Sequence, residues 1–259
     1  MIIDLHNHTP LCNHAEGNID EYIEQAIKVG TKYFGFSDHA PMDFDYKYRM
    51  NFSQMQEYEN NILKAKEKYK DQIKILLGYE VDYIKGFIDA RVLDAKVDYL
   101  IGSVHFIDKW GFDNPEFIGR YENEDIDSIW QKYFDTIEEM ANSGLFDIVG
   151  HLDLIKVFKF IPKKDINIIA IDALKAIKKA GMAIELNVAG YRKPVKEAYP
   201  SYTLLKQIYK LKIPITFASD AHKPEQVGLY NSEIMSLAKS VGYTQCVIFT
   251  KRKMEFIDF

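Results

Sequence analysis

The sequence predicts an α/β fold built on parallel strands, either a closed barrel or a doubly wound sheet. Three observations carry this. Short β-like runs alternate with amphipathic helical patterns about seven times along the chain. Several runs are apolar nearly throughout, as parallel strands covered on both faces are. No repeat, low-complexity tract or Pro/Gly/Ser-rich linker interrupts the pattern, so one domain over residues 1–259 is the simplest organisation.

The first run, Ile2 to His8, leads to a helix opened by Asn18 as N-cap with Glu21 as its capping partner. Ile19, Tyr22, Ile23, Ala26 and Ile27 form its stripe and Gly30 its stop. Tyr33 to Asp38 is the second run. A helix opened by Ser53 with Gln56 follows, striped by Met55, Tyr58, Ile62, Ala65 and Tyr69. Ile73 to Asp82 and Tyr99 to Phe106 come next, then a helix striped from Ile126 through Trp130 and Phe134 to Ile137 and ending near Gly144. Phe146 to Asp153, Met182 to Val188 and Ile213 to Ser219 complete the runs. The helical stripes after them pass through Leu174 and Ile177, through Leu204, Leu205 and Ile208, and through Ile234, Leu237 and Val241. Both folds place ligands beyond the C-terminal ends of the strands, so functional residues are expected there.

Composition excludes several classes. Hydrophobic residues are 47% and charged residues 27%, ordinary for a globular protein. A net charge of -5 and a pI near 5.8 leave no electrostatic footprint for nucleic acid or an anionic membrane. The basic stretch from Lys64 to Lys74 alternates with acids and reads as a solvated helix face. Cys12 and Cys246 cannot build a disulfide framework and fit a reducing compartment. No signal peptide is visible in MIIDLHNH, and no apolar run approaches the roughly 20 residues that span a bilayer. A cytoplasmic protein with no membrane partner is expected; a homo-oligomer is left open.

The histidines carry the functional signal. All but His14 of the 7 stand at or just past a predicted strand end, and none falls in a helical stripe. Asp4, His6 and His8 are spaced by two and share one strand face; Asp220 and His222 repeat that spacing. Glu80 ends the third strand in GYEVD, His39 follows Asp38 just past the second run, His105 closes IGSVH and His151 closes IVGH. A lone histidine is usually a satisfied core or surface residue, and a lone carboxylate such as Glu80 is often a cap or an ion-pair partner. The constellation is different. Imidazole with carboxylate suits zinc, iron or manganese, and the set exceeds the about three or four protein ligands of one metal, so a polynuclear centre is predicted. Asp38 points away from the face of its neighbour His39 and is assigned to capping.

Such a centre lowers the pKa of bound water towards neutrality, and two metals roughly 3.5–4 Å apart hold the oxygens of a phosphoryl group. No G-x-S-x-G, P-loop or G-x-G-x-x-G competes with a metal mechanism.

DLHNH (Asp4 to His8), His14, SDHAP (Ser37 to Pro41), Glu80, His105, His151 and SDAH (Ser219 to His222) resemble, in order, the PHP (polymerase and histidinol phosphatase) superfamily. The connecting segments YRMNFSQMQEY, GYEVDYI, IGSVHFIDKWGFDNPEF, GHLDLIKVF and ELNVAGYRKPVKEAYPS resemble its monofunctional histidinol-phosphatase branch. The resemblance implies a distorted (β/α)7 TIM-like barrel with three divalent metals (manganese, zinc or iron) at the C-terminal strand ends. It implies hydrolysis of the small phosphate monoester L-histidinol phosphate to L-histidinol and phosphate in histidine biosynthesis, by a hydroxide bridging two metals.

By position, His6, His8, Glu80 and Asp220 would hold the first metal, with Glu80 bridging to a second held by His105 and His151. His14, His39 and His222 would hold the third. Asp4 would orient a ligand histidine, as outer carboxylates do. Arg192 matches the branch's phosphate cation, and its guanidinium suits bidentate phosphate binding. Lys156, which stands where the branch would have Arg, and Arg49 are further candidates. Asp220, His222 or a metal-bound water would protonate the leaving alkoxide. For the imidazole and amine of the substrate, Phe106, Trp110, Phe112 and Asp43 are candidates, each also explained by packing or loop anchoring. Cys12 is expected to be a loop residue near the metals. The competing readings are another PHP-type phosphoesterase acting on a nucleotide or other small ester, and a PHP-like interaction module. Retention of every expected ligand position argues against the module.

Overall fold

The computed structural model describes residues 1–259. Its strands are β1 (Ile3–Asp4), β2 (Tyr33–His39), β3 (Lys74–Asp82), β4 (Tyr99–Ser103), β5 (Phe106–Ile107), β6 (Trp110–Gly111), β7 (Ile148–Val149), β8 (Ala183–Asn187), β9 (Ile215–Ala218), β10 (Gln245–Thr250) and β11 (Lys253–Asp258). The helices are α1 (Ile19–Lys28), α2 (Met55–Lys68), α3 (Ala90–Leu93), α4 (Ile126–Asn142), α5 (Ile166–Ala180), α6 (Ala189–Arg192), α7 (Tyr202–Lys210) and α8 (Asn231–Val241).

The main sheet has 7 parallel strands in the order β1-β2-β3-β4-β7-β8-β9. Its edges meet. Leu5 N donates to Phe217 O at 3.0 Å, Asp220 N to His6 O at 2.7 Å and His8 N to Ala221 O at 2.9 Å. The sheet is therefore a nearly closed barrel, the distorted α/β form that the resemblance implies, and not the doubly wound alternative. β4, β8 and β9 are buried at every position, which explains their apolar runs.

The distortion has a local cause. Only Ile3 and Asp4 of the expected Ile2–His8 strand pair regularly with β2. Beyond them the Asn7 side chain enters the ladder, its Nδ2 donating to Gly35 O at 3.1 Å and to Asp4 Oδ1 at 3.1 Å. The segment is thereby shared between β2 and β9.

Inside the barrel, Tyr99 fills space that two glycines leave. Its hydroxyl donates to Leu5 O at 2.6 Å, and its ring lies against Gly35 of β2 and Gly78 of β3.

Helix ends follow the expected chemistry with one exception. Asn18 and Glu21 cap α1 reciprocally, at 2.7 and 3.1 Å, and Gly30 leaves with φ +81. The entry to α2 is a 3-10 turn (Phe52–Gln54) where Gln54 Oε1 accepts from Asn51 N at 2.8 Å, so Ser53 with Gln56 is not the cap. The hairpin β10–β11 lies beyond the last expected stripe. Its turn residues, Lys251 and Arg252, have φ +50 and +66, a conformation usually announced by Asn-Gly. No helix is long and apolar enough to cross a membrane.

A Cβ at Gly78 would stand 2.5 Å from the Tyr99 ring. Gly78→Ala should therefore cost about 1–3 kcal/mol of stability. The measurement is urea unfolding, with a lower midpoint expected at unchanged slope; an unchanged midpoint would contradict the packing described.

Candidate metal centre

The strand ends deliver the predicted residues to one place. His6 and His8 come from the segment after β1, His39 ends β2, Glu80 lies near the end of β3, and His105 and His151 follow β4 and β7. Asp220 and His222 follow β9, and His14 follows the 3-10 turn Pro10–Cys12. Asp220 adopts φ +50, a left-handed conformation that Asp tolerates better than most residues. Asn187 Nδ2 donates to its Oδ2 at 3.1 Å.

Glu80 is the centre of the arrangement. Its Oε2 lies 3.2 Å from His6 Nε2, 3.7 Å from His8 Nε2 and 2.9 Å from His39 Nδ1. Its Oε1 lies 2.9 Å from His151 Nε2 and 3.7 Å from His105 Nε2. The two oxygens thus face two separate histidine sets. Burial pushes the Glu80 carboxyl up, but His6, His39, His105 and His151 outweigh it and hold it well below the ordinary range. Asp220 is likewise held well below that range by His6 and His8, against burial.

A second ring of acceptors aims the histidines. His6 Nδ1 lies 2.9 Å from Glu185 Oε2, His8 Nδ1 3.2 Å from Asp38 Oδ1 and His105 Nδ1 2.7 Å from Asp82 Oδ1. His14 Nδ1 and His222 Nδ1 face the carbonyls of Cys12 and Asp220 at 2.9 and 3.2 Å. With Nδ1 occupied, Nε2 of each ring is the free donor, the arrangement common in metal sites. Burial lowers the affinity of His105 for a proton, yet Asp82 and Glu80 push its pKa up to about 10.

Glu185 and Asp82 have no role in the sequence reading. Their signal is a carboxylate inside an otherwise apolar strand, AIELN in β8 and the alternation of Glu80 with Asp82 in β3. Two expectations are corrected. Asp38 is no cap: it is fully buried and binds His8, Thr9 N and Thr9 Oγ1. Asp4 orients no histidine. It accepts from Ser219 N at 2.9 Å and from Asn7 Nδ2, and so ties β9 to β1, because it lies a full strand repeat behind His6.

The donor set fits divalent metals. Nitrogen and oxygen donors gather within 4.8 Å of one another in the groups His6–His8–Glu80, Glu80–His105–His151 and His14–His39–His222. His6 Nε2, His8 Nε2, His39 Nδ1 and Glu80 Oε2 are buried and make no hydrogen bond, a costly arrangement unless a cation satisfies them. Buried Cys12 forms a further such group with His8 and His222, closer to the donors than a loop role requires.

Above this cluster opens a cavity of about 560 Å³. Arg192 lines it: Nη2 donates to Ser219 O at 2.8 Å and Asp220 O at 2.9 Å, while buried Nη1 has no partner. Lys156 is corrected. It does not line the cavity; its ammonium is buried among Glu197 Oε2 at 2.7 Å, Ala198 O at 2.8 Å and Asp153 Oδ2 at 3.1 Å. Arg49 lines the cavity, but its guanidinium is consumed by Asp45 O, Ala40 O and Asp82 Oδ2, so it braces Asp82 and offers no free fork to phosphate. Of the candidate substrate readers only Phe106 lines the cavity. Trp110 and Phe112 are core residues, and Asp43 is exposed outside it.

A model of the PHP domain matches residues 4–189, and the chain belongs to this family. The chain is 38% identical over 259 residues to the probable histidinol-phosphatase of Deinococcus radiodurans, covering 98% of both. It is 30% identical over 257 residues to the histidinol-phosphatase of Bacillus subtilis, covering 87% of this chain and 95% of that one. Its fold matches the crystal structure of histidinol phosphate phosphatase from Lactococcus lactis, complexed with zinc, L-histidinol and phosphate. There the TM-score is 0.79 at 23% identity, over 98% of each chain.

If Glu185 aims His6, Glu185→Gln should weaken metal retention about 10- to 100-fold. Metal content after dialysis against graded chelator measures this, with circular dichroism as the control for folding. Retention equal to wild type would remove Glu185 from the account.

Proposed function

We infer that this protein is a histidinol-phosphate phosphatase, hydrolysing L-histidinol phosphate to L-histidinol and inorganic phosphate in histidine biosynthesis. The observation that carries the reading is the Glu80 carboxylate, whose oxygens face separate histidine sets beneath a cavity lined by Arg192, whose buried Nη1 has no partner. Relatives named probable histidinol-phosphatase and histidinol-phosphatase, at 38% and 30% identity and covering 98% and 87% of this chain, supply the substrate.

The cofactor in this reading is three divalent ions, zinc, manganese or iron. His6, His8, Glu80 and Asp220 would hold one, Glu80, His105 and His151 the second, and His14, His39 and His222 the third. Bound divalent metals supply a nucleophilic water at neutral pH and positive charge for the phosphoryl oxygens. The chain's own residues do the rest. Arg192, pinned through Nη2 by two carbonyls, presents Nη1 to the phosphate and holds the ester in line. Asp220 and His222 lie on the cavity wall; Asp220, held well below the ordinary carboxylate range, is ionised and would first accept the proton of the attacking water before passing it to the leaving alkoxide. The same reading places the protein in the cytoplasm, with a small free substrate and no nucleic-acid partner.

The test is phosphate release from L-histidinol phosphate against sugar phosphates and nucleotides, after stripping the protein and reloading it with manganese, zinc or iron. Histidinol phosphate should lead by orders of magnitude in kcat/KM. A lead for another ester would overturn the substrate and leave the metal chemistry; no turnover at full metal occupancy would overturn both.

Arg192→Ala should raise KM and the inhibition constant of inorganic phosphate together, by about 10- to 100-fold. Unchanged values for both would exclude the phosphate contact.

A further inference from the structure

The carboxylates lining the cavity are Asp45, Glu80, Asp82, Asp113 and Asp220. All but one have partners. Asp45 pairs with Arg49 at 3.2 Å, and Asp82 pairs with Arg49 at 2.9 Å and His105 at 2.7 Å. Glu80 is surrounded by histidines, and Asp220 is held by Asn187 and faces His8 at 3.4 Å. No hydrogen bond or ion pair of the protein engages the Asp113 carboxylate, although it lies in the cavity wall beside the metal cluster.

Its position is built. The hairpin β5–β6 returns the chain to the site, and Phe112, fully buried, anchors it there with its N–H on His105 O at 3.3 Å. The chain then leaves through the turn Pro115–Glu122, which Asn114 caps by accepting from Glu116 N at 2.9 Å. Asp113 stands between these two fixed points. Phe106 and Phe117 line the cavity on the same loop and give it an apolar flank. Arg192 and Lys193 follow β8, separated from the loop after β4 by β7, so these cations and the Asp113 carboxylate reach the cavity from different strand ends.

We propose that Asp113 is the specificity residue for the substrate's cationic amine, pairing with the ammonium of a phosphorylated amino alcohol while Arg192 takes its phosphate. This rests on the phosphatase reading above. In a 2-amino alcohol phosphate the amine is attached one carbon away from the ester CH2, so the group that reads it must stand beside the metals. Asp113 does, one residue from the backbone contact to His105. Asp43, outside the cavity, does not.

The experiment compares L-histidinol phosphate with its analogue lacking only the amine, in the metal-loaded wild type and in Asp113→Asn and Asp113→Ala. Metal content and circular dichroism verify that the variants are intact. The preference of the wild type for the amine ester should fall about 10- to 100-fold in both variants, mainly through KM. The inhibition constant of the product L-histidinol should rise in parallel while that of inorganic phosphate stays as in wild type. An equal loss on both esters, or a preference that survives the substitution, overturns the proposal. Phosphoethanolamine separates it from the substrate reading. A wild type that prefers phosphoethanolamine, and loses that preference in Asp113→Asn, would discard histidinol phosphate and retain Asp113 as the amine's partner.

Discussion

The site depends on one buried carboxylate. Glu80 is 1% exposed near the end of β3, where an unpaired negative charge would be expensive, and imidazoles from the ends of β1, β2, β4 and β7 surround it. The balance of burial against these neighbours leaves it ionised. Asp82 and Glu80 in turn raise the proton affinity of His105, whose pKa is pushed up to about 10. Divalent metal held by these residues would supply positive charge in place of protons, which would couple binding to pH. The same cluster is therefore tolerable when empty of metal and preorganised to receive it.

Preorganisation comes from ranks of charge behind the first. Arg49 holds Asp82 at 2.9 Å, Asp82 holds His105 at 2.7 Å, and His105 faces Glu80 at 3.7 Å. Glu185 accepts from His6 Nδ1, from His151 N at 2.8 Å and from Asn187 Nδ2 at 2.7 Å, so one carboxylate fixes parts of three strand ends. A parallel barrel makes this feasible because every strand presents its C-terminal end to the same rim. Cations that looked like phosphate binders serve this scaffold: Lys156 neutralises Asp153 and Glu197, and Arg49 braces Asp82. Arg192 differs because backbone carbonyls take only one of its terminal nitrogens.

The parallel α/β pattern and the inner donors were legible because their signals are periodic; closure into a barrel came from the family resemblance, since the alternation alone fits a doubly wound sheet equally. Apolar runs of strand length mark β3, β4 and β8, and histidines recur at strand ends where helical stripes carry none. The outer acids were not legible in the same way. Glu185, Asp38 and Asp82 are single carboxylates whose partners lie on other strands, at separations that no local spacing encodes, such as 179 residues for Glu185 and His6. Asp4 misled for a related reason, since sharing a strand face with His6 does not place it beside the ring. The hairpin β10–β11 escaped because Lys251 and Arg252 occupy turn positions where Gly or Asn would have signalled it. Asp113 became visible only once the other cavity acids were found to be paired.

The most direct test of the proposed centre is anomalous diffraction at the zinc edge from crystals of the zinc-loaded protein. The account predicts two peaks flanking Glu80, each about 2.0–2.2 Å from a different carboxylate oxygen, and a third among His14, His39 and His222. One peak, or two peaks bound to the same Glu80 oxygen, would contradict the bridging role on which the mechanism rests.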